Sequence, residues 1–280
     1  MTDAEKNRAF NAAVKAIHGE QTRLQADTHG EIVRLLNEAL TEIRGTLAAQ
    51  PSDYQRWQLP QLQREIERVL ADMGAQASQT ASTAIGKSWE QGGSLVDKPL
   101  EAGGVRIAAV APALDTTRLF AMRAFMTDRI KDVSVQAANK INSQLGLVVI
   151  GARTPSDAVT EVTDILGEPS RERARRIVRT ELGRAYAAAA QTRMEQAVAV
   201  VPGLKKRWRR SAKKHPRPGH YAAHGQVRGV NEKFVVLAKV GTVELMFPRD
   251  PAAPAGETIN CGCASEPYMT DWNTPATRAA

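Results

Sequence analysis

Cysteine is scarce in this sequence, with Cys261 and Cys263 the only two among 280 residues. Two cysteines separated by one residue make a poor disulfide framework, because the ring would be strained and would constrain almost none of the chain. We therefore expect reduced thiols, as in a cytoplasmic protein. The amino terminus also lacks the basic start and apolar block of a secretion signal, so we expect no export by that route.

Long apolar runs are missing as well. Segments such as LGLVVIGA near Leu147 are far shorter than the roughly 18 to 20 residues needed to cross a bilayer, so the sequence predicts no transmembrane helix. No glycine-rich phosphate-binding motif occurs, which argues against an ATP-driven motor. The apolar share of 42% is ordinary for a folded protein with a buried core.

Apolar residues recur at helical spacing almost throughout the chain up to about residue 200. The first stripe begins at Phe10, and we expect it to break at His29 and Gly30. A second helix is predicted to fray across the Ser, Thr and Ala residues of 74–88. The glycine-containing stretch 92–112 predicts a long loop.

Start signals mark the later helices. Asp115 can cap a third helix, and Thr154 can cap a short fourth one with Pro155 at its first position. Residues 167–169, which include a glycine and a proline, predict the end of that helix. A long helix is expected from about Ser170, with alanines that permit close packing.

Beyond residue 200 the pattern changes to short pieces. Residues 233–240 and 243–247 are rich in β-branched and aromatic residues, and Gly241 between them predicts a hairpin turn. The sequence therefore predicts a mostly α protein, with an extended multi-helix N-terminal body and a small α+β C-terminal domain. We assign a helical N-terminal region to 1–112, a helical domain to 113–200, a small basic Cys/His domain to 201–270, and a loose tail to 271–280.

Positive charge is concentrated just after this change of pattern. The net charge is +8. Eight basic side chains lie within thirteen residues: Lys205, Lys206, Arg207, Arg209, Arg210, Lys213, Lys214 and Arg217. We call this set the basic block. It is either a solvated face or a surface that meets DNA phosphates or an acidic protein partner.

The cysteines and nearby histidines form a candidate metal site. Zinc prefers thiolates and imidazoles in a tetrahedron, which His220, His224, Cys261 and Cys263 can supply. A helical turn starting at Pro218 would place the two histidines on one face. A metal-free domain held by hydrogen bonds is the alternative. The histidine spacing is that of a zincin protease, but no glutamate lies between them to act as general base.

Other chemistry is less well supported by the residues. A metal nuclease would need further ligands around a phosphate, for which the nearby candidates are Asn231, Asp250 and Asn260. A catalytic Cys–His pair would need a third, orienting group, and the sequence marks none.

A set of short segments carries a family resemblance. RTELGRAYAAAA, KKRW, RPGHYAAHGQV, EKFVV and MFPRDPAAPAGETINCGC follow one another in an order that resembles the phage Mu F-like head morphogenesis family, also called minor head or minor capsid proteins. The resemblance covers about the last 110 residues. The matching positions are Arg179, Thr180, Glu181, Trp208, Arg217, His220, Gly225, Gln226, Pro248, Asp250, Pro251, Asn260, Cys261 and Cys263.

Two positions depart from the family pattern. Lys214 stands where an acid usually precedes the Arg-x-x-His turn, and Gly262 stands where an arginine usually separates the cysteines. The missing acid removes a partner for Arg217 and puts an inherited polar network at that turn in doubt.

The resemblance implies a structural protein present in a few copies per virion, made in the host cytoplasm and located in the head near the portal vertex. It implies association with the portal protein, with major capsid or scaffold proteins as further partners. It also implies contact with packaged DNA and roles in head assembly and in DNA packaging or ejection. It does not imply a turnover reaction. His220, Cys261 and Cys263 would then stitch together a loop-rich domain, with zinc as a possible cofactor. The alternative is a metal-dependent DNA-processing nuclease carried in the head.

Overall fold

The computed structural model describes residues 1–50, 58–107, 111–238 and 241–273. The helices before residue 200 are α1 (Asp3–Ala48), α2 (Leu59–Ala102), α3 (Thr117–Val149), α4 (Pro155–Leu166) and α5 (Glu168–Ala197). The C-terminal part contains β1 (Leu204–Arg209), α6 (Pro218–Ala222), β2 (Val227–Gly229), β3 (Phe234–Ala238), β4 (Gly241–Leu245), α7 (Ala255–Thr258), β5 (Ala264–Met269) and a 3-10 turn at Asp271–Asn273. The predicted class, mostly α with a small α+β C-terminal part, is confirmed.

Within these ranges, no helix has both the length and the apolar character that a bilayer crossing requires.

The chain folds into two compact units, each built from segments that are distant in sequence. The first unit combines residues 1–25, 85–122 and the chain from 179 onward, and the second combines 26–84 with 123–178. The predicted division into successive domains ending at 112, 200 and 270 stays a prediction.

Helix α1 does not break at His29 and Gly30, contrary to the prediction from sequence. A glycine inside a helix costs only about 1 kcal/mol relative to alanine. The next turns bury Ile32 and Leu36, which are 2% and 0% exposed, and this packing outweighs the cost.

Helix α2 is also continuous where fraying and a loop were expected. In the stretch 74–88 the small residues pack closely, and Ala77 and Ala81 are almost fully buried. The predicted loop at 92–112 is helical as far as Ala102. Gly92 allows a close approach to α5, because a Cβ there would lie 2.4 Å from the carbonyl oxygen of Tyr186.

The predicted helix starts are confirmed by their hydrogen bonds. The Asp115 carboxylate accepts from the Thr117 backbone N–H at 2.9 Å, just at the start of α3. Thr154 and Asp157 form a reciprocal capping box at α4, with Pro155 in the first turn. Helix α4 ends at Leu166 as predicted, but α5 begins at Glu168, so Pro169 lies in its first turn and does not end a segment.

The C-terminal part contains two small antiparallel sheets. One has the order β2-β1-β5, and the other is the pair β3-β4. The predicted strand pair around Gly241 is confirmed, with Phe234 opposite Leu245 and Ala238 opposite Gly241. Gly241 has φ of 106°, a conformation that favours glycine.

One hydrophobic cluster of the first unit joins residues from both ends of the described chain. Phe10 and Ile17 of α1, Leu95 of α2 and Met269 of β5 belong to it. Trp272 packs edge-on against Phe10 with ring centroids 5.6 Å apart. The predicted loose tail is therefore wrong for residues 271–273, and 274–280 lie outside the described residues.

Candidate metal centre and its surroundings

The structure brings three of the four predicted metal ligands together. His220 lies on α6, and Cys261 and Cys263 lie on the segment between α7 and β5. One ligand atom from each lies within 4.8 Å of the others. His220 Nδ1 is 3.4 Å from Cys261 Sγ and 3.5 Å from Cys263 Sγ. All three residues are only 1 to 2% exposed, so they form a buried cluster.

Glu257 on α7 is the orienting group that the sequence did not reveal. Its Oε2 lies 2.8 Å from His220 Nε2. A carboxylate only accepts hydrogen bonds, so Nε2 carries the hydrogen and the lone pair of Nδ1 faces the two sulfur atoms. This arrangement makes His220 ready either to accept a thiol hydrogen or to bind a metal ion.

The pKa values of the two thiols are shifted in opposite directions. The pKa of Cys261 is lowered, first by a hydrogen bond from Cys263 and then by His220 and the Arg249 charge. The pKa of Cys263 is raised by that hydrogen bond, by burial and by the neighbouring Cys261 thiolate. The backbone N–H of Cys263 also donates to Cys261 Sγ at 3.4 Å. Of the two thiols, Cys261 is therefore the one that loses its proton more readily.

Aromatic and glycine packing holds α6 in place. Trp208 is fully buried and meets His220 edge-on, with ring centroids 5.4 Å apart and planes at 87°. Gly219 lies against β3, and a Cβ at this position would be 1.9 Å from the carbonyl oxygen of Leu237. The glycine in the RPGH turn is thus required for this close approach.

His224 does not join the cluster. Helix α6 ends at Ala222, so the expected pairing of His220 and His224 on one helical face is not formed. The side chain of His224 is exposed, and its Nδ1 accepts a hydrogen bond from the Arg210 backbone N–H at 3.4 Å. The metal-ligand prediction for His224 is not supported by this geometry.

Several family-motif residues fix the cysteine segment. The Asn260 backbone N–H donates to Thr180 Oγ1 on α5 at 2.9 Å. Asn260 has φ of 54°, which turns the chain just before Cys261. Glu181, also on α5, is buried and pairs with Arg184.

The other motif residues support the strands and turns. Gly225, with φ of 83°, donates its backbone N–H to the carbonyl oxygen of Trp208 at 2.9 Å. The Gln226 side chain pairs with both backbone groups of Val235, at 2.8 and 3.0 Å. Asp250 accepts from the backbone N–H groups of Met246 and Ala252 and so closes a turn. These contacts are structural.

Both departures from the family pattern have a structural answer. Arg217 donates to the carbonyl oxygen of Ile259 at 2.8 Å, so the expected loss of a partner does not leave it without one. Gly262 packs against Ser211, where a Cβ would come within 2.7 Å of the serine Cβ. Ser211 therefore occupies the space that a side chain at position 262 would need.

The basic block does not form one surface. Lys206 and Trp208 point into the core of the β1 sheet, while Lys205, Arg207 and Arg209 alternate with them. Lys206 is 0% exposed, and its Nζ donates to the carbonyl oxygen of Met246 at 2.7 Å. Burial lowers the pKa of Lys206 to about 8. Lys206 is thus unavailable to DNA in the folded protein.

Most other members of the block have partners in the chain. Arg207 and Arg209 pair with the buried carboxylate of Glu266. Arg210 lies over the ring of Tyr221, with 4.8 Å between the guanidinium carbon and the ring centroid. The exposed members of the block are Lys205 and Lys214.

A small cavity adjoins the metal-ligand group. Its volume is about 260 Å³, and Cys261, Cys263 and His220 line it together with Lys213 and Asn260. The Oδ1 atom of Asn260 is buried and has no hydrogen-bond partner among the described residues. The other residues considered as nuclease ligands, Asn231 and Asp250, do not line this cavity.

Comparison with known proteins supports one family. Residues 135–266 match the sequence model of the family described as phage Mu protein F like protein. This region is therefore similar to that family. The predicted family resemblance is confirmed, and the match begins earlier than expected, within α3. The phage Mu F-like relation supports the class of a phage head morphogenesis protein and a place in the virion head.

Two relatives are each similar to about a third of this chain. The chain is 40% identical over 101 residues to the uncharacterized protein YqbB of Bacillus subtilis (strain 168), covering 35% of this chain and 32% of YqbB. It is 32% identical over 98 residues to the NAD(+)–arginine ADP-ribosyltransferase EFV of Enterococcus faecalis (strain ATCC 700802 / V583), covering 35% of this chain and 19% of that protein. The alignments thus span a third or less of each relative. No solved structure matches the chain.

Proposed function

We propose that this protein is a structural minor head protein of a tailed phage that associates with the portal and acts in head assembly and in DNA packaging or ejection. The observation that carries the proposal is the phage Mu F-like match over residues 135–266. The portal protein, major capsid or scaffold proteins and packaged DNA are its proposed partners.

The burial of the Cys/His cluster supports the structural part of this proposal, in which the protein carries out no turnover. His220, Cys261 and Cys263 are almost completely buried and packed against Trp208. Thr180 on α5 holds the cysteine segment by accepting a hydrogen bond from the Asn260 backbone N–H. Such an arrangement suits a cluster that holds loops together.

The portal association can be tested with assembled particles. Capsids produced with and without the portal protein of the same phage are purified and analysed for this protein by quantitative mass spectrometry. We expect it in portal-containing particles and in complexes pulled down with tagged portal protein. Equal retention in particles that lack the portal, or a free monomer with no affinity for the portal, would contradict the proposal.

We also propose that the cluster binds zinc, because it offers three donors of the kinds that zinc prefers. On a tetrahedral zinc with Zn–S near 2.3 Å and Zn–N near 2.0 to 2.1 Å, a nitrogen and a sulfur ligand lie about 3.5 Å apart. The distances from His220 Nδ1 to the two sulfur atoms, 3.4 and 3.5 Å, fit this value. His220, Cys261 and Cys263 would hold the ion, Glu257 would orient the imidazole, and the ion would supply a cross-link between α6 and the cysteine segment.

Zinc content distinguishes this proposal from a metal-free, hydrogen-bonded cluster. Native mass spectrometry should show one zinc per chain in the parent protein and none in His220→Ala. His224→Ala is the matched control, because His224 lies outside the cluster, and it should keep the metal. A chelator should lower Tm in the parent. A parent that contains no zinc and keeps its Tm in chelator would show that the cluster is held by hydrogen bonds alone.

We propose that the basic block contacts packaged DNA above all through its exposed members, Lys205 and Lys214. Binding should weaken with salt, with a slope in log affinity against log salt of about 0.9 per neutralised phosphate. Replacing both lysines with glutamine should reduce that slope. A slope of zero in the parent would assign these lysines to solvent or to a protein partner.

A metal-dependent nuclease is the second candidate. It is favoured by one observation, namely that three protein ligands leave one position of a tetrahedral site open, and here the ligands line a cavity with Lys213. The parent protein and His220→Ala are compared for cleavage of linear DNA with added divalent ions. A structural role predicts no cleavage by either protein, whereas cleavage by the parent alone would favour the nuclease.

A further inference from the structure

A second, larger cavity in the first unit gathers positive charge from several elements. Its volume is about 550 Å³, within the range of small-molecule sites. Helices α1 and α5, the segment after β1 and the loop after β4 contribute to its lining, and no Asp or Glu side chain is among the lining residues. Five cationic side chains line it: Arg179, Arg209, Arg210, Lys213 and Arg249.

Only Arg209 of these five cations pairs with an acidic side chain among the described residues, and Arg249 and Arg179 are two of the four that do not. Arg249 is 5% exposed and uses its Nε and one terminal nitrogen to bind carbonyl oxygens of Cys261 and Gly183, each at 2.7 Å. Arg179 is half-buried on α5 and makes no hydrogen bond or ion pair with the described residues. Two guanidinium groups at one cavity without a carboxylate leave a site that favours an anion.

The position of Arg249 is built into the fold. Gly183 on α5 lies so close that a Cβ there would be 2.4 Å from the guanidinium carbon of Arg249. Arg249 itself has φ of 71°, an uncommon conformation for a residue with a side chain. Glycine on the helix and a left-handed turn on the loop together direct this guanidinium towards the cavity.

The character of the lining favours phosphate over other anions. Gln21, Thr22 and Ser211 add polar side chains to the cationic ones. A phosphate group carries more than one charge and several acceptor oxygens, so donors that converge from different elements can bind it at once, and guanidinium groups match its geometry. A singly charged carboxylate would leave more of these cations without a partner.

We propose that this cavity binds a phosphate group, carried either by a free nucleotide or by the end of a DNA strand. Arg179 supplies the donor that has no partner among the described residues, and Arg249 and Lys213, which also line the cavity, supply further positive charge. The inference does not depend on portal association, which is measured by a separate experiment.

The test measures binding of pyrophosphate, ATP and a 5′-phosphorylated oligothymidylate to the full chain by isothermal titration calorimetry. Arg179→Gln should weaken binding at least about tenfold, the loss expected for one charge-assisted hydrogen bond. Arg106→Gln is the matched control, because Arg106 is exposed, lies in the same unit and does not line the cavity. It should change the affinity less than about twofold, consistent with screening of a distant charge.

Two arms identify the source of the phosphate. An oligonucleotide with a 5′-phosphate that binds at least about tenfold more tightly than its 5′-hydroxyl counterpart, and is displaced by pyrophosphate, indicates a strand end. Binding of ATP without competition from the oligonucleotide indicates a free nucleotide. Absence of binding by every probe, or equal losses in Arg179→Gln and Arg106→Gln, would overturn the proposal. Circular dichroism of both variants verifies that they are folded.

Discussion

Substituting Glu266 with glutamine removes the carboxylate that joins α1 to the β1 sheet. Glu266 is 3% exposed, and its oxygens lie 3.0 Å from His18 Nε2, 3.0 Å from Arg207 and 2.9 Å from Arg209. Burial alone would raise its pKa, but the hydrogen bonds and charges of His18 and Arg209 lower it from 4.5 to about 2. At 1.36 kcal/mol per pKa unit, this lowering corresponds to about 3 kcal/mol. Because the Arg209 side chain is 42% exposed, solvent screening reduces the expected loss to about 2 kcal/mol.

The same carboxylate gives the pH dependence a definite sign. Its pKa in the folded protein lies below the unfolded value, so its contribution to stability is fully present above about pH 4.5 and is lost as the pH falls towards 2. The parent protein should therefore lose stability over this interval. Glu266→Gln should be less stable at pH 7 and should lack this part of the acid dependence.

Urea unfolding followed by tryptophan fluorescence at pH 7, 4.5 and 3 measures both effects. Glu244→Gln is the matched control, since the Glu244 side chain is 61% exposed and its partner Lys233 is 3.6 Å away. We expect this control to remain within about 0.5 kcal/mol of the parent. If Glu266→Gln is as stable as the control at pH 7, or loses the same stability in acid as the parent does, the reasoning about this network is wrong.

Two further predictions concern the first and second units. Burial lowers the pKa of Lys206 from 10.5 to about 8, so the free energy of unfolding of the parent should rise by up to about 3 kcal/mol between pH 8 and 10.5. Lys206→Met should lack that rise in urea unfolding. A parent whose stability stays constant over this range would contradict the prediction. Gly92→Ala should lower Tm, because the added Cβ would lie 2.6 Å from the Cβ of Ala189. In Gly30→Ala the added Cβ has no atom within 4 Å, so this variant should stabilise α1 by about 0.5 to 1 kcal/mol. Differential scanning calorimetry compares the two, and shifts of the same sign would refute the packing argument.

Features set by neighbouring residues were predictable from the sequence. The capping box of α4 needs only Thr154, Asp157 and the proline between them. The β3-β4 pair needs two β-rich segments and Gly241. The prediction that His220, Cys261 and Cys263 lie together rested on their chemical type and on the family pattern. Three of the four proposed ligands do lie together in the structure.

Features set by tertiary packing were not predictable. The breaks expected in α1 and α2 follow from local propensity, which buried residues such as Ile32 and Ala81 override. Glu257 and Glu266 carry no local signal, because the partner of Glu266 on α1 is separated from it by 248 residues. Lys206 belongs to a run of cations, and only the alternation of a strand places it inside.

The shared core of α1 and β5 has a consequence for how the protein is made. Phe10 packs against Trp272, so a contact that completes the first unit joins residues near opposite ends of the described chain. During synthesis the apolar side of α1 leaves the ribosome long before its partner strand exists, and such nonlocal contacts form slowly. This face would be a natural target for chaperones until the last strand emerges.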